Sequence, residues 1–246
     1  MALTGQVVLV TGASQGLGRS IALALAEEDA RVVLVARDGQ RLNRVATEIE
    51  AMGREALVVC CDVCDSVQVT AMVARALGEF QQIDTVVNSA GIGLRKPALE
   101  TTGAQWDAIF DTLVKGTFLV TQAVLPGMLA RKRGNIINLV APLERIELPG
   151  FAAYTAAKYA VVGLTKTLAK ELRRYSINVN GLHPGGFANT AMVQQVMGSM
   201  VQSLLDPAVI TPAAVALAGQ PGRGLTGDII DAVAWNTDPG LGAGLQ

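Results

Sequence analysis

The sequence predicts an α/β protein: a doubly wound parallel sheet in three layers, helices over sheet over helices, within a single domain. Three observations carry this. Short apolar runs suited to strands alternate with helical patterns from end to end of the 246 residues, which favours one large domain over two small ones. A glycine-punctuated turn, Gly12, Gly16 and Gly18, joins the first such run to the first helical pattern. Half of the residues are hydrophobic and 17% are charged, enough apolar material to cover a sheet on both faces and too much for intrinsic disorder.

The first half reads as strand 6–11, helix 17–29, strand 31–36, helix 39–52, strand 56–61, helix 66–78 and strand 83–87, successive strand–helix–strand crossovers of right-handed sense. A loop with Arg95, Lys96 and Pro97 leads to helical segments around 104–132. Strand 135–140, helix 152–174 and strand 176–182 then repeat the pattern of the first half. Beyond them come Pro184-Gly185-Gly186 and a stretch with Met192, Met197 and Met200, which reads as a substrate lid near 186–210 or as a packed amphipathic helix. A helix near 211–218 and a strand near 226–232 follow. Residues 237–246, with Pro239, Gly240, Gly242 and Gly244, read as a flexible tail.

Two patterns carry chemistry. In the segment from Thr11 to Gly18, glycines stand where a Cβ would keep the backbone from a ligand. A turn of this kind, at a helix N-terminus, directs backbone N–H groups toward a pyrophosphate. Tyr154 and Lys158 stand four residues apart in a helical pattern, so phenol and ammonium share one face. A neighbouring Lys⁺ favours the phenolate, and the spacing therefore predicts a lowered tyrosine pKa, as a general acid/base for an alcohol or ketone needs.

With these residues in view, the chain resembles the classical short-chain dehydrogenase/reductase family along nearly all of its length, in the manner of its 3-oxoacyl-acyl-carrier-protein reductases. Thr11-Gly12-Ala13-Ser14-Gln15-Gly16-Leu17-Gly18 matches the family's glycine motif, and Asn88-Ser89-Ala90-Gly91 its Asn-Asn-Ala-Gly with one substitution. Tyr154 and Lys158 match the catalytic pair, and His183-Pro184-Gly185 the turn after the sixth strand. The resemblance implies a Rossmann fold that binds a nicotinamide dinucleotide and interconverts a ketone and a secondary alcohol. It assigns cofactor contacts to Gly12, Ser14, Gln15, Gly16, Leu17, Gly18, Asp62, Val63, Asn88, Ala90, Gly91, Tyr154, Lys158, Pro184, Gly185 and Thr190. His183 is expected to pack near the cofactor without moving a proton.

Arg37 closes the second strand where the family places a base for the 2′-phosphate, and Ala36 stands where NAD-preferring members carry Asp. NADP(H) is therefore expected over NAD(H). Asp38 follows directly, and an ion pair with it is the competing role for Arg37; Gln15 occupies a position where many NADP-preferring members carry a second base.

Two further positions depart from the family. Its catalytic serine, thirteen residues before the tyrosine, falls on Ala141, and its relay asparagine falls on Leu113, so half of the catalytic tetrad is absent. Glu144 and Arg145, just beyond Ala141, are candidates to contact substrate in its place, against the competing fate of solvent-facing loop charges. Two readings follow: an oxidoreductase with Tyr154 as acid/base activated by Lys158, or a dinucleotide-binding protein with little or no dehydrogenase activity, serving as non-redox catalyst, regulator or partner subunit.

A formal net charge of −1 gives no electrostatic footprint for nucleic acid or an anionic membrane. Arg131-Lys132-Arg133 reads as the basic last turn of a helix. No apolar run is expected to span a bilayer, and no signal-peptide layout precedes the first strand, so the expected compartment is the cytoplasm. Cys60, Cys61 and Cys64 contain a C-x-x-C, but with no second ligand pair and a single distant histidine they read as free thiols, and no metal site is expected. The family resemblance implies a homodimer or homotetramer.

Overall fold

Seven parallel strands in the order β3-β2-β1-β4-β5-β6-β7 form the centre of the computed structural model, which describes residues 2–200 and 203–238. They are β1 (Val7–Thr11), β2 (Arg31–Ala36), β3 (Ala56–Cys60), β4 (Thr85–Asn88), β5 (Gly134–Leu139), β6 (Ile177–His183) and β7 (Ile229–Asp231). The helices are α1 (Gly16–Glu27), α2 (Gly39–Ala51), α3 (Ser66–Phe80), α4 (Gly103–Phe110) and α5 (Gly116–Arg131). After β5 come α6 (Leu143–Ile146), α7 (Ala152–Leu172), α8 (Ala191–Met197), α9 (Thr211–Gly219) and α10 (Ala232–Thr237).

The two-residue alternation of β1 separates the two cores. Val8 and Val10 point to one face and pack with Ile21 and Leu25 of α1, Leu42 and Ile49 of α2 and Leu217 of α9. Val7 and Leu9 point to the other and pack with Met72 of α3, Val124 and Met128 of α5 and Leu168 of α7. Removing each such large side chain from water contributes roughly 1.5–3 kcal/mol, which is what holds helices to both faces. The strand order reverses between β1 and β4, and the crevice above their carboxyl ends is where an open α/β sheet binds ligands.

Caps set several helix starts. Asp38 accepts from the Arg41 N–H at 3.0 Å, Asp65 accepts from Val67 and Gln68 at 2.9 and 3.2 Å, and Thr102 with Gln105 forms a reciprocal capping box ahead of α4.

Where the structure departs from the sequence reading, tertiary packing decides. The helical region 104–132 is divided by a π-helical turn, Asp111–Lys115, a rare widening that brings Thr112 and Leu113 to the crevice. Taken together, Gly103–Arg131 is long and apolar enough to cross a bilayer by composition, contrary to the expected absence of such a run; here Val120, Val124 and Met128 are buried against the sheet. The Met stretch holds the short packed helix α8, capped by Thr190 and containing buried Met197. Backbone bonds of 2.8 Å from Asn189 N to Leu205 O and from Leu205 N to Phe187 O close the loop that carries it. Residues 201 and 202 of the expected lid, and 239–246 of the expected tail, lie outside the described residues. The tail reading at 237 is replaced by α10, whose first turn is capped by Asp231.

Candidate active site

A cavity of about 520 Å³ opens above the β1–β4 switch point. Its floor is the glycine turn. Gly12 has φ of +67°, and a Cβ there would lie 2.8 Å from Ala90 Cα and Ser89 O, so the turn and the end of β4 approach closely only because the side chain is missing. Thr11 Oγ1 locks this junction, accepting from the Ser89 and Ala90 N–H groups at 3.1 Å each. Helix α1 then begins at Gly16, also at positive φ, with no side-chain cap from Gln15 and no acidic residue in its first turn. Its free N–H groups and positive dipole end face the cavity, an arrangement suited to a pyrophosphate.

Most of the sequence-predicted cofactor residues come together around this space. Gly12, Ser14, Gln15, Gly16, Leu17 and Gly18 line it from the turn, Arg37, Asp62 and Val63 from the ends of β2 and β3, and Ala90 and Gly91 from the end of β4. Tyr154, Lys158 and Thr190 close it opposite. Three do not line it. Asn88 turns under the sheet, its Nδ2 donating to Thr121 Oγ1 at 3.1 Å and Asn138 Oδ1 at 2.9 Å, and so braces β4 against β5 and α5. Pro184 borders a second, smaller cavity, and Gly185 borders neither.

At the β2 end of the cavity the structure supplies a residue that sequence reading missed. Arg41, in the first turn of α2, lines the cavity beside Arg37, donates to Gln15 Oε1, and pairs with Asp38 at 3.1 Å. Asp38 is thus engaged by Arg41, and the adjacent Arg37–Asp38 pair does not form; Arg37 is 71% exposed and 3.9 Å from Asp62. The available signal was the i, i+4 spacing of Arg37 and Arg41 across a helix start.

At the other end, α7 presents Tyr154 and Lys158 on one face. Lys158 is 7% exposed and donates through Nζ to Leu139 O at 2.8 Å. Its Nζ lies 5.7 Å from the Tyr154 ring centroid. The predicted lowering of the tyrosine pKa is absent in this state: burial pushes Tyr154 up to about 12 and Lys158 down to about 8. Desolvation by the packing around them is the cause for both, and the ammonium is in addition engaged by the Leu139 carbonyl.

Leu113, 2% exposed, stands beside this pair in a small apolar cluster with Ile109, Ala153 and Ala157. Packing therefore fills the position that the resemblance assigns to a polar relay.

The second cavity, of about 70 Å³, meets the first at Tyr154, Val140 and Thr190. Ala141 lines it, together with Ile146, Phe151, Phe187 and side chains of α8. Glu144 and Arg145 line neither cavity. The single turn of α6, tied down by Thr155 Oγ1 donating to Ile146 O at 2.7 Å, buries Ile146 and leaves both charges exposed.

Comparison with known proteins agrees with this geometry. The family model described as short chain dehydrogenase matches residues 6–199. A 3-oxoacyl-[acyl-carrier-protein] reductase of Synechocystis sp. is 41% identical over 196 residues, 79% of each chain. Gluconate 5-dehydrogenase of Gluconobacter oxydans is 39% identical over 195 residues, 79% of this chain and 76% of that one. A crystal structure of a metagenomic short-chain oxidoreductase in complex with NADP has a TM-score of 0.83 at 34% identity, covering 94% of this chain and 98% of that one. Fold, glycine turn and matched length converge: the chain belongs to the short-chain dehydrogenase/reductase family of oxidoreductases.

Proposed function

We propose that the protein is an NADP(H)-dependent oxidoreductase that interconverts a ketone and a secondary alcohol, with Tyr154 as general acid/base. The observation that carries this is the position of Tyr154 at the junction of the two cavities, one fitted to a dinucleotide and the other to a small organic group. The residues suit the cofactor: the uncapped N-terminus of α1 for its pyrophosphate, and Arg37 with Arg41 for a 2′-phosphate. When bound, the reduced nicotinamide supplies the hydride.

The chain's own residues handle the proton. In reduction Tyr154, held in its protonated form by burial, gives its O–H proton to the oxygen of the carbonyl as the C–H bond forms; in oxidation it takes that proton back. Lys158 anchors the site from Leu139 O, and its positive charge, at neutral pH still the major form, favours the phenolate left behind. Ala141 offers the substrate oxygen no second donor. A second reading, dinucleotide binding with little dehydrogenase activity, is favoured by Ala141 and Leu113, neither of which carries a polar group.

Titration of the purified protein with NADPH and NADH by nicotinamide fluorescence, followed by turnover on a ketone panel, separates the two. Tight NADPH binding with turnover supports the first reading; tight binding with no turnover on any carbonyl supports the second.

The same proposal includes a homodimer or homotetramer. Trp106, Phe118 and Tyr159 are 40%, 42% and 46% exposed, and an apolar groove runs between Phe110, Val114, Phe118 and Leu164, a face suited to a second copy. Light scattering on the eluting protein gives the mass directly. A cytoplasmic location is supported by the free thiols Cys60, Cys61 and Cys64, and fractionation of the source cell checks it.

A further inference from the structure

The cavity that meets Tyr154 has a chemical character of its own. It is formed by Ala141, Ile146, Phe151, Phe187, Val196 and Met197 among others, and among the described residues Tyr154 is the one ionisable side chain on its wall. Glu144 and Arg145 on α6 are exposed and do not line it, although the Arg145 guanidinium lies near Gly186 at its edge. We infer that, given the oxidoreductase reading, the substrate is an uncharged carbonyl compound or alcohol whose reacting carbon bears a short apolar arm, and that hydroxylated sugar acids are excluded.

The chemistry is one of matching. A hydroxyl or carboxylate carried into this wall finds only the Tyr154 and Thr190 hydroxyls among the side chains that line it and otherwise loses its water, a loss of about tenfold for each unpaired hydroxyl and more for a charge. A methylene gains about fourfold. The wall thus separates the reactions named for two relatives of similar identity, siding with ketones on an apolar chain and against gluconate.

Length is limited by the same walls. A volume of about 70 Å³ holds roughly five water-sized groups. Beyond that the way out runs past Gly93 and Val196, which border both this cavity and an open groove of about 670 Å³ carrying Arg95, Pro149 and Gly150. A Cβ on Gly93 would stand 2.9 Å from Val196 Cγ1 and 3.1 Å from Met192 Cγ, so a side chain there would fill the narrow space between them. A longer substrate has its distal part in the groove.

The test is kcat/KM with NADPH for linear methyl ketones from butanone to octanone, set against a keto-gluconate. The expected result is a rise of about fourfold per methylene that levels off once the cavity is filled. The best ketone should exceed the keto-gluconate by more than a hundredfold, as about two unpaired hydroxyls alone require. Gly93→Val should lower octanone turnover more than butanone turnover. A keto-gluconate turned over as well as or better than the ketones overturns the inference.

Should NADPH bind and no carbonyl turn over, the oxidoreductase reading fails. Calorimetric binding of the same compounds to the protein–NADP⁺ complex then decides the pocket. Binding of ketones in the same order sustains the apolar assignment, and binding of the keto-gluconate alone, or of neither class, overturns it.

Discussion

Serine at position 141 should turn a weak oxyanion site into a stronger one. Ala141 is 5% exposed and borders the 70 Å³ cavity beside Tyr154, so an added hydroxyl faces the place where the substrate oxygen meets the phenol. One donor preorganised toward a developing oxyanion is worth about 10²–10³ in rate. The cost falls on the free protein. An unpaired buried hydroxyl costs about 1–3 kcal/mol, and the low end applies because the cavity has room for the water that would pair with it. A loss near 1 kcal/mol lowers the melting temperature by about 2–4 °C in a chain of this size. Leu113→Asn should behave differently. Its side chain is 2% exposed within the Ile109, Ala153 and Ala157 cluster, and exchanging it for an amide costs about 3–5 kcal/mol through lost packing and a desolvated polar group. The assay is NADPH oxidation with the best methyl ketone, alongside thermal melts. Ala141→Ser is expected to raise kcat with NADPH affinity unchanged, and Leu113→Asn to melt far lower. A serine variant with unaltered affinity and no gain in kcat refutes the reasoning, because another group must then be holding the substrate oxygen.

Other outcomes follow from the same geometry. Removing Arg37 or Arg41 should weaken NADPH binding by about tenfold each while NADH binding changes by less than about threefold, as charge-assisted contacts to a 2′-phosphate require; equal losses for both cofactors would remove the phosphate role. Gly12→Ala should cost about 2–4 kcal/mol in urea unfolding, since its Cβ meets the backbone of Ala90 at 2.8 Å and its φ is +67°; a cost under about 0.5 kcal/mol would mean that the turn relaxes freely. Lys158 sits at about 8 in the fold against an ordinary value of 10.5, so above pH 8 the unfolded chain holds a proton that the fold releases, and stability rises with pH. Cys61 and Tyr154, raised by burial to about 11 and about 12, and Cys64, also raised by burial, oppose this as pH passes through their ordinary values of 9.0, 10.0 and 9.0, so the two thiols reduce the rise near pH 9. Melts of the ligand-free protein should therefore rise between pH 8 and 9, and the rise should vanish in Lys158→Met; a flat wild-type profile would contradict the buried ammonium.

What could be read from the sequence is what local rules dictate. The strands show because both faces of a parallel sheet demand apolar residues, as in Val7 through Val10. The glycine turn shows because Gly12 and Gly16 adopt backbone conformations that a side chain disfavours. Tyr154 and Lys158 show because helix periodicity places them on one face. Contacts between distant segments did not show. Arg41 reaches Gln15 across 26 positions, and Asn88 turns toward Thr121, 33 positions away, rather than to the cofactor cleft. Burial reversed the tyrosine pKa shift that proximity to lysine suggested, and burial is a property of the assembled walls. Glu144 and Arg145 were chosen by nearness in sequence to Ala141, and the single turn of α6 buries Ile146 while both charges stay exposed and outside the cavity lining.

Rapid mixing of the protein–NADPH complex with its best ketone measures the proposed proton transfer by Tyr154 most directly. Tyr154→Phe should bind NADPH within about twofold of the parent protein and lose about 10²–10⁴ in the rate of NADPH oxidation. An equal rate in the phenylalanine variant would contradict it.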